Sequence, residues 1–273
     1  MLSILIAGGD TRQIVLSKLF QEKGYDVYIT GFDKLGIKDE AKNNPDYVFL
    51  PVPYKSEAGF LKTPFSSERI ALADIVNAHP NSVYVLGGCD NVANKIFGNL
   101  IRYIDLFQNE AFLVRNALLT AQGAICAYLK NTDKALCDSI CVVVGYGRIS
   151  KFLCRLLKAF SAKVIAAARK ERDFELIRSE QMHAAHINDL RNIISDADVI
   201  FNTVPCQIIQ EEELKNIKQG AKVIELASPP FGMDIELAKN MGVDVQLESG
   251  LPGRYFPVSA ANAMLHAFER EEL

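Results

Sequence analysis

The run Cys141–Ser150, CVVVGYGRIS, is the feature that most narrows the possible folds. A buried-looking apolar strand (139–145) enters a Gly-x-Gly turn, and an amphipathic helical pattern (148–162) leaves it. That order of strand, glycine turn and helix is the context in which such glycines bind a dinucleotide. Gly145 permits the tight turn. Gly147 lets backbone N–H groups approach a pyrophosphate at the positive end of the helix. Ser150 stands where a third glycine is usual and is small enough to keep helix and strand close. Gly145, Gly147, Arg148 and Ile149 are therefore the expected phosphate-side residues.

About twenty residues further on, an NAD site places a carboxylate on the ribose 2′-OH. Here the next strand (163–169) ends in AAARKER, with Arg169 and Lys170 and no carboxylate on the strand end. Arginine grips a 2′-phosphate in bidentate fashion and stacks on adenine, so the pattern predicts NADP rather than NAD. The later strand ends supply the nicotinamide side: Thr203, Val204 and Pro205 after one strand, Ser228 and Pro229 after the next.

Apolar runs and helical patterns also alternate through the first half: strands at 2–9, 25–31, 46–53 and 82–88, helices at 11–24 and 67–80. Alternation of this kind argues for a parallel sheet with helices on both faces. The predicted organisation is an α/β chain: a substrate-side α/β domain over 1–108, linker helices over 109–134, a Rossmann doubly wound domain over 135–256 and a C-terminal helix over 257–273. The stretch SGLPGRYFPVSA (249–260) reads as a loop shaped by glycines and prolines.

Composition removes several function classes. The formal net charge of −3 offers no field for a nucleic-acid backbone. No apolar run approaches the ~18 residues of a membrane span, and the N-terminus lacks a basic signal-peptide region, so a cytoplasmic protein is expected. Six cysteines include no CxxC and no zinc-like spacing, so neither metal nor disulfide is expected, and Cys206 reads as a packed thiol.

In the first half, AGGDTRQ (7–13) closes a strand on two glycines and opens a helix. Asp10 and Thr11 are either helix caps or site residues. Arg12 is placed to clamp a carboxylate. Arg254 and Tyr255, in the loop before the last helix, are placed for a second one. Two arginines suit a dicarboxylate substrate. None of the four histidines falls at a strand-end loop of the Rossmann half, so no acid/base dyad of the 2-hydroxy acid dehydrogenase kind is legible.

GGDTRQ, NEAFLVRNALLTAQGAI, GYGRIS, ASPPFGMD and LESGLPGRYFPVSAA, in this order and spacing, resemble the dipicolinate synthase A-subunit family over essentially the whole chain. The resemblance implies a build like that of the D-2-hydroxy acid dehydrogenases, with an N-terminal flavodoxin-like domain before the Rossmann domain and the substrate held between them. It implies NADP-dependent oxidation of dihydrodipicolinate, from the lysine pathway, to dipicolinate. It further implies partnership with a flavoprotein B subunit, in the mother cell of a spore-forming bacterium; a homo-oligomer is also expected. Asp10, Thr120 and Gln122 are the polar helpers it suggests. In the family an acidic residue follows the Thr-Ala of the linker helix; here Gln122 stands in that place and offers no carboxylate. Two alternatives stay open: a nucleotide-binding scaffold or regulatory subunit for a flavoprotein, and an NADP-dependent dehydrogenase of another dicarboxylate or imino acid.

Overall fold

The protein is described from a computed structural model covering residues 1–39 and 44–272. It divides into two compact units. Unit 1 comprises Met1–Asn116 and Pro252–Leu273, and unit 2 comprises Ala117–Leu251.

Unit 1 begins with β1 (Ser3–Ala7), α1 (Thr11–Glu22), β2 (Asp26–Thr30) and β3 (Tyr47–Phe49). A small antiparallel pair follows, β4 (Lys55–Glu57) and β5 (Phe60–Leu61), and then α2 (Leu72–Ala78), β6 (Val83–Leu86), α3 (Asn91–Phe97) and β7 (Tyr103–Asp105). The main sheet is parallel in the order β2-β1-β3-β6-β7. Without the small pair this is the flavodoxin-like order 2-1-3-4-5. β1 is buried on both faces, as an interior strand of a parallel sheet covered by helices must be. Ile4 and Ile6 join one core with Phe20 and Phe49, while Leu5 and Ala7 join the other with Val48, Tyr84 and Leu86.

The long helix α4 (Glu110–Leu129) carries the chain from one unit to the next as one helix, and the division between the units falls within it, between Asn116 and Ala117. Among the described residues it alone has the length and mean hydropathy of a span, with half of its most apolar window buried. No uninterrupted apolar run of that length is visible in the sequence, because Arg115, Asn116 and Gln122 break it. A helix apolar on most sides is what a protein core also selects.

Unit 2 contains β8 (Ile140–Val144), α5 (Arg148–Ala159), β9 (Lys163–Ala168), α6 (Glu171–Ser179), β10 (His183–His186), α7 (Leu190–Ile193) and β11 (Val199–Asn202). It continues with α8 (Glu211–Leu214), β12 (Lys222–Glu225), α9 (Ile235–Asn240) and β13 (Asp244–Leu247). All six strands are parallel, in the order β10-β9-β8-β11-β12-β13. Renumbered within the unit this is 3-2-1-4-5-6, the doubly wound Rossmann order, whose strand sequence reverses between β8 and β11.

The segment read as a loop is instead α10 (Leu251–Tyr255), followed by α11 (Pro257–Glu272). Pro252 and Pro257 sit in first turns, where the missing N–H costs nothing. α11 packs into unit 1: Met264, Leu265 and Phe268 share a core with Phe20 and Phe49.

Candidate coenzyme site and the N-terminal glycine turn

At the reversal point of unit 2, β8 ends on Val144 and the chain turns at Gly145 with φ +97°. A Cβ there would lie 2.6 Å from Thr203 Oγ1 and 2.8 Å from Val204 Cγ2, so both conformation and space require glycine. Gly147 is the N-cap of α5, and no side chain caps that helix. Nothing lies within 4 Å of the place a Gly147 Cβ would take. The first turn of a 12-residue helix is thus left without a side-chain cap beside an open Gly147, an arrangement that suits a pyrophosphate. The donor set and the clearance fit a dinucleotide. Arg148 is exposed and Ile149 half-buried at the same turn.

Ser150 does more than save space. It is fully buried, and its Oγ lies 2.7 Å from Thr203 Oγ1, which itself donates to the Val144 carbonyl at 2.9 Å. Because the Thr203 proton is committed to Val144, Ser150 is the donor to Thr203. The hydroxyl pair ties α5, the end of β8 and the loop after β11 into one unit. Thr203 and Val204 are half-buried there and Pro205 is exposed.

Arg169 and Lys170 follow β9 and are exposed, as are Ser228 and Pro229 beyond β12. Arg172 lies 3.6 Å from Asp173, which leaves Arg169 and Lys170 as the cations at this strand end with no carboxylate partner among the described residues. Cys206 is exposed, which corrects its reading as a packed thiol; all six cysteines are free. It lies in the irregular stretch after β11, where no strand or helix face buries it.

The glycine turn of unit 1 departs from expectation in a specific way. Arg12 is 4% exposed and closes a fork on its own neighbour: Nε reaches Asp10 Oδ1 at 2.8 Å and Nη2 reaches Oδ2 at 2.8 Å. Nη2 also donates to the Val52 carbonyl. The guanidinium expected to clamp a substrate carboxylate is committed to an internal one. Burial alone pushes the Asp10 carboxyl up, but the Arg12 hydrogen bonds and charge outweigh it and hold the group below its ordinary value. Asp10 is also the N-cap of α1, in a capping box with Gln13. Thr11 Oγ1 donates to the Gly253 carbonyl at 2.8 Å, which joins this turn to α10.

Arg254, next in the chain, is exposed, with its guanidinium 5.0 Å from the centre of the Tyr255 ring. The structure therefore brings Asp10, Arg12 and the segment bearing Arg254 and Tyr255 to one region of unit 1. Thr120 and Gln122 are half-buried on the part of α4 that belongs to unit 2. Two residues apart on a helix, they do not share a face.

Gln13 and Glu225 were missed in the sequence, whereas Asn202 was read there only as a strand-end residue on the nicotinamide side. Gln13 uses Oε1 on the Asp10 amide at 3.0 Å, while its Nε2 is buried without a hydrogen-bond partner among the described residues. Asn202 and Glu225, both buried, pair at the ends of β11 and β12. The available signal was a polar or charged residue at the end of an otherwise apolar strand pattern, as in VIFN and KVIE.

Comparison with known proteins matches this geometry. Residues 3–106 fit the family model of the dipicolinate synthase A-subunit N-terminal domain. Residues 114–230 fit that of the D-isomer specific 2-hydroxyacid dehydrogenase NAD binding domain. The dipicolinate synthase A subunit of Bacillus subtilis (strain 168) is 27% identical over 285 residues, covering 98% of this chain and 95% of that protein. Among solved structures, the dipicolinate synthase A subunit from Bacillus halodurans superposes with a TM-score of 0.86 at 27% identity, over 99% of this chain and 97% of the other. The dipicolinate synthase A chain from Bacillus subtilis gives 0.83 at 27% identity, over 99% and 96%. With the two family models in tandem and agreement in sequence and structure over nearly its full length, the chain is similar throughout to the dipicolinate synthase A subunits.

Proposed function

We propose that the chain oxidises dihydrodipicolinate to dipicolinate with NADP, in company with a flavoprotein B subunit. The observation that carries the coenzyme reading is the open cradle at Gly145–Gly147, followed by a strand end that presents Arg169 and Lys170 and no carboxylate. The name dipicolinate synthase, shared by the similar proteins, supports the substrate, and their being one subunit of that synthase supports a partner. When bound, the coenzyme supplies the hydride acceptor.

The chain's own residues have binding and orienting work to do. The α5 amides hold the pyrophosphate, Ser150 and Thr203 fix the turn beneath it, and Arg169 with Lys170 take the 2′-phosphate. The substrate ring loses one hydride and one proton and becomes aromatic, so the gain in ring stability drives the reaction and a strong protein base is not required. Arg254, exposed beside the N-terminal glycine turn, is the cation that meets a substrate carboxylate. Gln13 Nε2 is the buried donor in that turn that still lacks an acceptor among the described residues.

One observation favours a second reading. With Arg12 closed on Asp10, one of the two expected carboxylate clamps is spent, which suits a nucleotide-binding protein that serves a flavoprotein without turnover of its own. One assay separates the two. The lysine-pathway substrate is generated in place, the protein is added alone with NADP+, and dipicolinate and NADPH are followed together. Stoichiometric appearance of both is expected. Tight NADP+ binding without product would favour the scaffold, and the flavoprotein would then be added.

A further inference from the structure

Glu225 is a buried carboxylate without a counter-ion among the described residues. It is 1% exposed at the end of β12, in register with Asn202 at the end of β11. Asn202 Nδ2 donates to both of its oxygens, at 2.8 and 3.0 Å. The Ala227 amide donates at 2.8 Å and the Gly232 amide at 3.0 Å. Every partner is a donor, so the arrangement suits the ionised carboxylate, whereas a protonated one would need an acceptor. No cationic side chain acts on it among the described residues. Burial pushes its pKa up, against the opposing pull of the Asn202, Gly232 and Ala227 hydrogen bonds. A lone buried charge is costly to fold around, and removing it from the chain would have been simple had it no task.

Its surroundings place it at the coenzyme site. The Asn202 amide also donates to the Val204 carbonyl at 3.0 Å and accepts from the Val204 amide at 3.2 Å. Val204 is the residue against which Gly145 packs. A Cβ on Gly232 would run into the Asn202 amide, so the loop after β12 lies flat against it. The pair thus anchors both loops, 203–205 and 227–232, that leave the carboxyl ends of β11 and β12. In a doubly wound sheet those ends belong to the half that receives the second mononucleotide, here the nicotinamide.

We propose that Glu225 sets the oxidation-state preference of the coenzyme site, its bare buried carboxylate favouring the oxidised, positively charged nicotinamide over the reduced, neutral one. The inference rests on the coenzyme reading above. It suits a chain that must take up NADP+ and release NADPH in each turnover. A role confined to holding the loops would act on both forms of the ring alike; a charge acts on one.

The test measures Kd for NADP+, NADPH and 2′,5′-ADP, which lacks the nicotinamide, on wild type, E225Q and E225D. E225Q is expected to lose about tenfold in NADP+ affinity, the order expected of one unit charge acting through protein. It should lose less than about twofold for NADPH and 2′,5′-ADP, by the same reasoning, since neither carries the ring charge. E225D keeps the charge and is expected to keep the wild-type ratio of NADP+ to NADPH affinity. Equal losses of NADP+ and NADPH in E225Q would overturn the proposal. A wild-type readout covers the case in which E225Q does not fold: NADP+ should bind at least as tightly as NADPH, and a wild type clearly preferring NADPH would overturn it. Wild type that bound neither form would instead remove the coenzyme reading itself.

Discussion

At the scale of single residues, the third position of the glycine motif shows how one atom changes a role. A glycine there only lets helix and strand approach, whereas Ser150 also donates to Thr203. Ser150→Ala keeps the packing and deletes the bond, leaving Thr203 bound to Val144. The expected cost is about 1 kcal/mol of stability, the usual net worth of one hydrogen bond, read as a fall in denaturant midpoint at unchanged slope. Arg169 is the opposite kind of residue, exposed and poised for a ligand. Arg169→Glu should weaken NADPH about ten- to hundredfold, as expected of a charge-assisted contact worth ~1.5–3 kcal/mol, and leave NADH nearly unchanged. Fluorescence titration with both reduced coenzymes checks it. Equal losses would remove Arg169 from the 2′-phosphate.

At the scale of elements, the amino edge of the unit 2 sheet is pinned by Asp198. Its carboxylate accepts from the Ile140 amide at 2.8 Å and pairs with Lys218 at 2.6 Å and Lys134 at 2.9 Å. Burial pushes this carboxyl up, but hydrogen bonds from Lys218, Ile140 and Lys134 prevail and bring it from 3.8 to about 2. A depressed acid contributes stability that is complete above its unfolded pKa and is lost as pH falls through the folded one. Melting temperature should therefore decline between pH 3.8 and about 2. Asp198→Asn should melt lower at neutral pH and show a flatter decline across that window; an unchanged pH profile would dismiss the pinning role. Most elements in this edge were legible, since β8, β11 and β12 are apolar runs bounded by turns. β10 was not: HAAH has neither β-branched residues nor alternation, and it is a strand because β9 offers it a free edge. α10 was hidden for the opposite reason, because proline and glycine in LPGRY mimic a loop although first-turn proline is compatible with a helix.

At the scale of the whole molecule, the chain closes unit 1 with its last helix. The glycine turn after β8 was legible because glycine spacing reports backbone geometry directly. The internal fates of Arg12 and Glu225 were not, because a sequence holds residue types and never tells which neighbour a charge will choose. The contribution of α11 to unit 1 was equally hidden, since its apolar face is compatible with any core. In the structure Phe268 meets Phe20 at 5.7 Å, Tyr47 at 5.0 Å and Phe49 at 5.0 Å between ring centroids, all edge-on. It thereby connects the last helix to α1 and β3, some 220 to 250 positions earlier. Phe268→Ala removes a fully packed ring and should cost about 3–5 kcal/mol. Because that ring serves only the core of unit 1, the loss should appear as a lowered melting transition and dye-accessible apolar surface. Titration with NADPH below the transition should give wild-type affinity, since every proposed coenzyme contact lies in unit 2. Coenzyme affinity that fell in step with the melting temperature would mean that unit 2 does not hold its cradle without an intact unit 1.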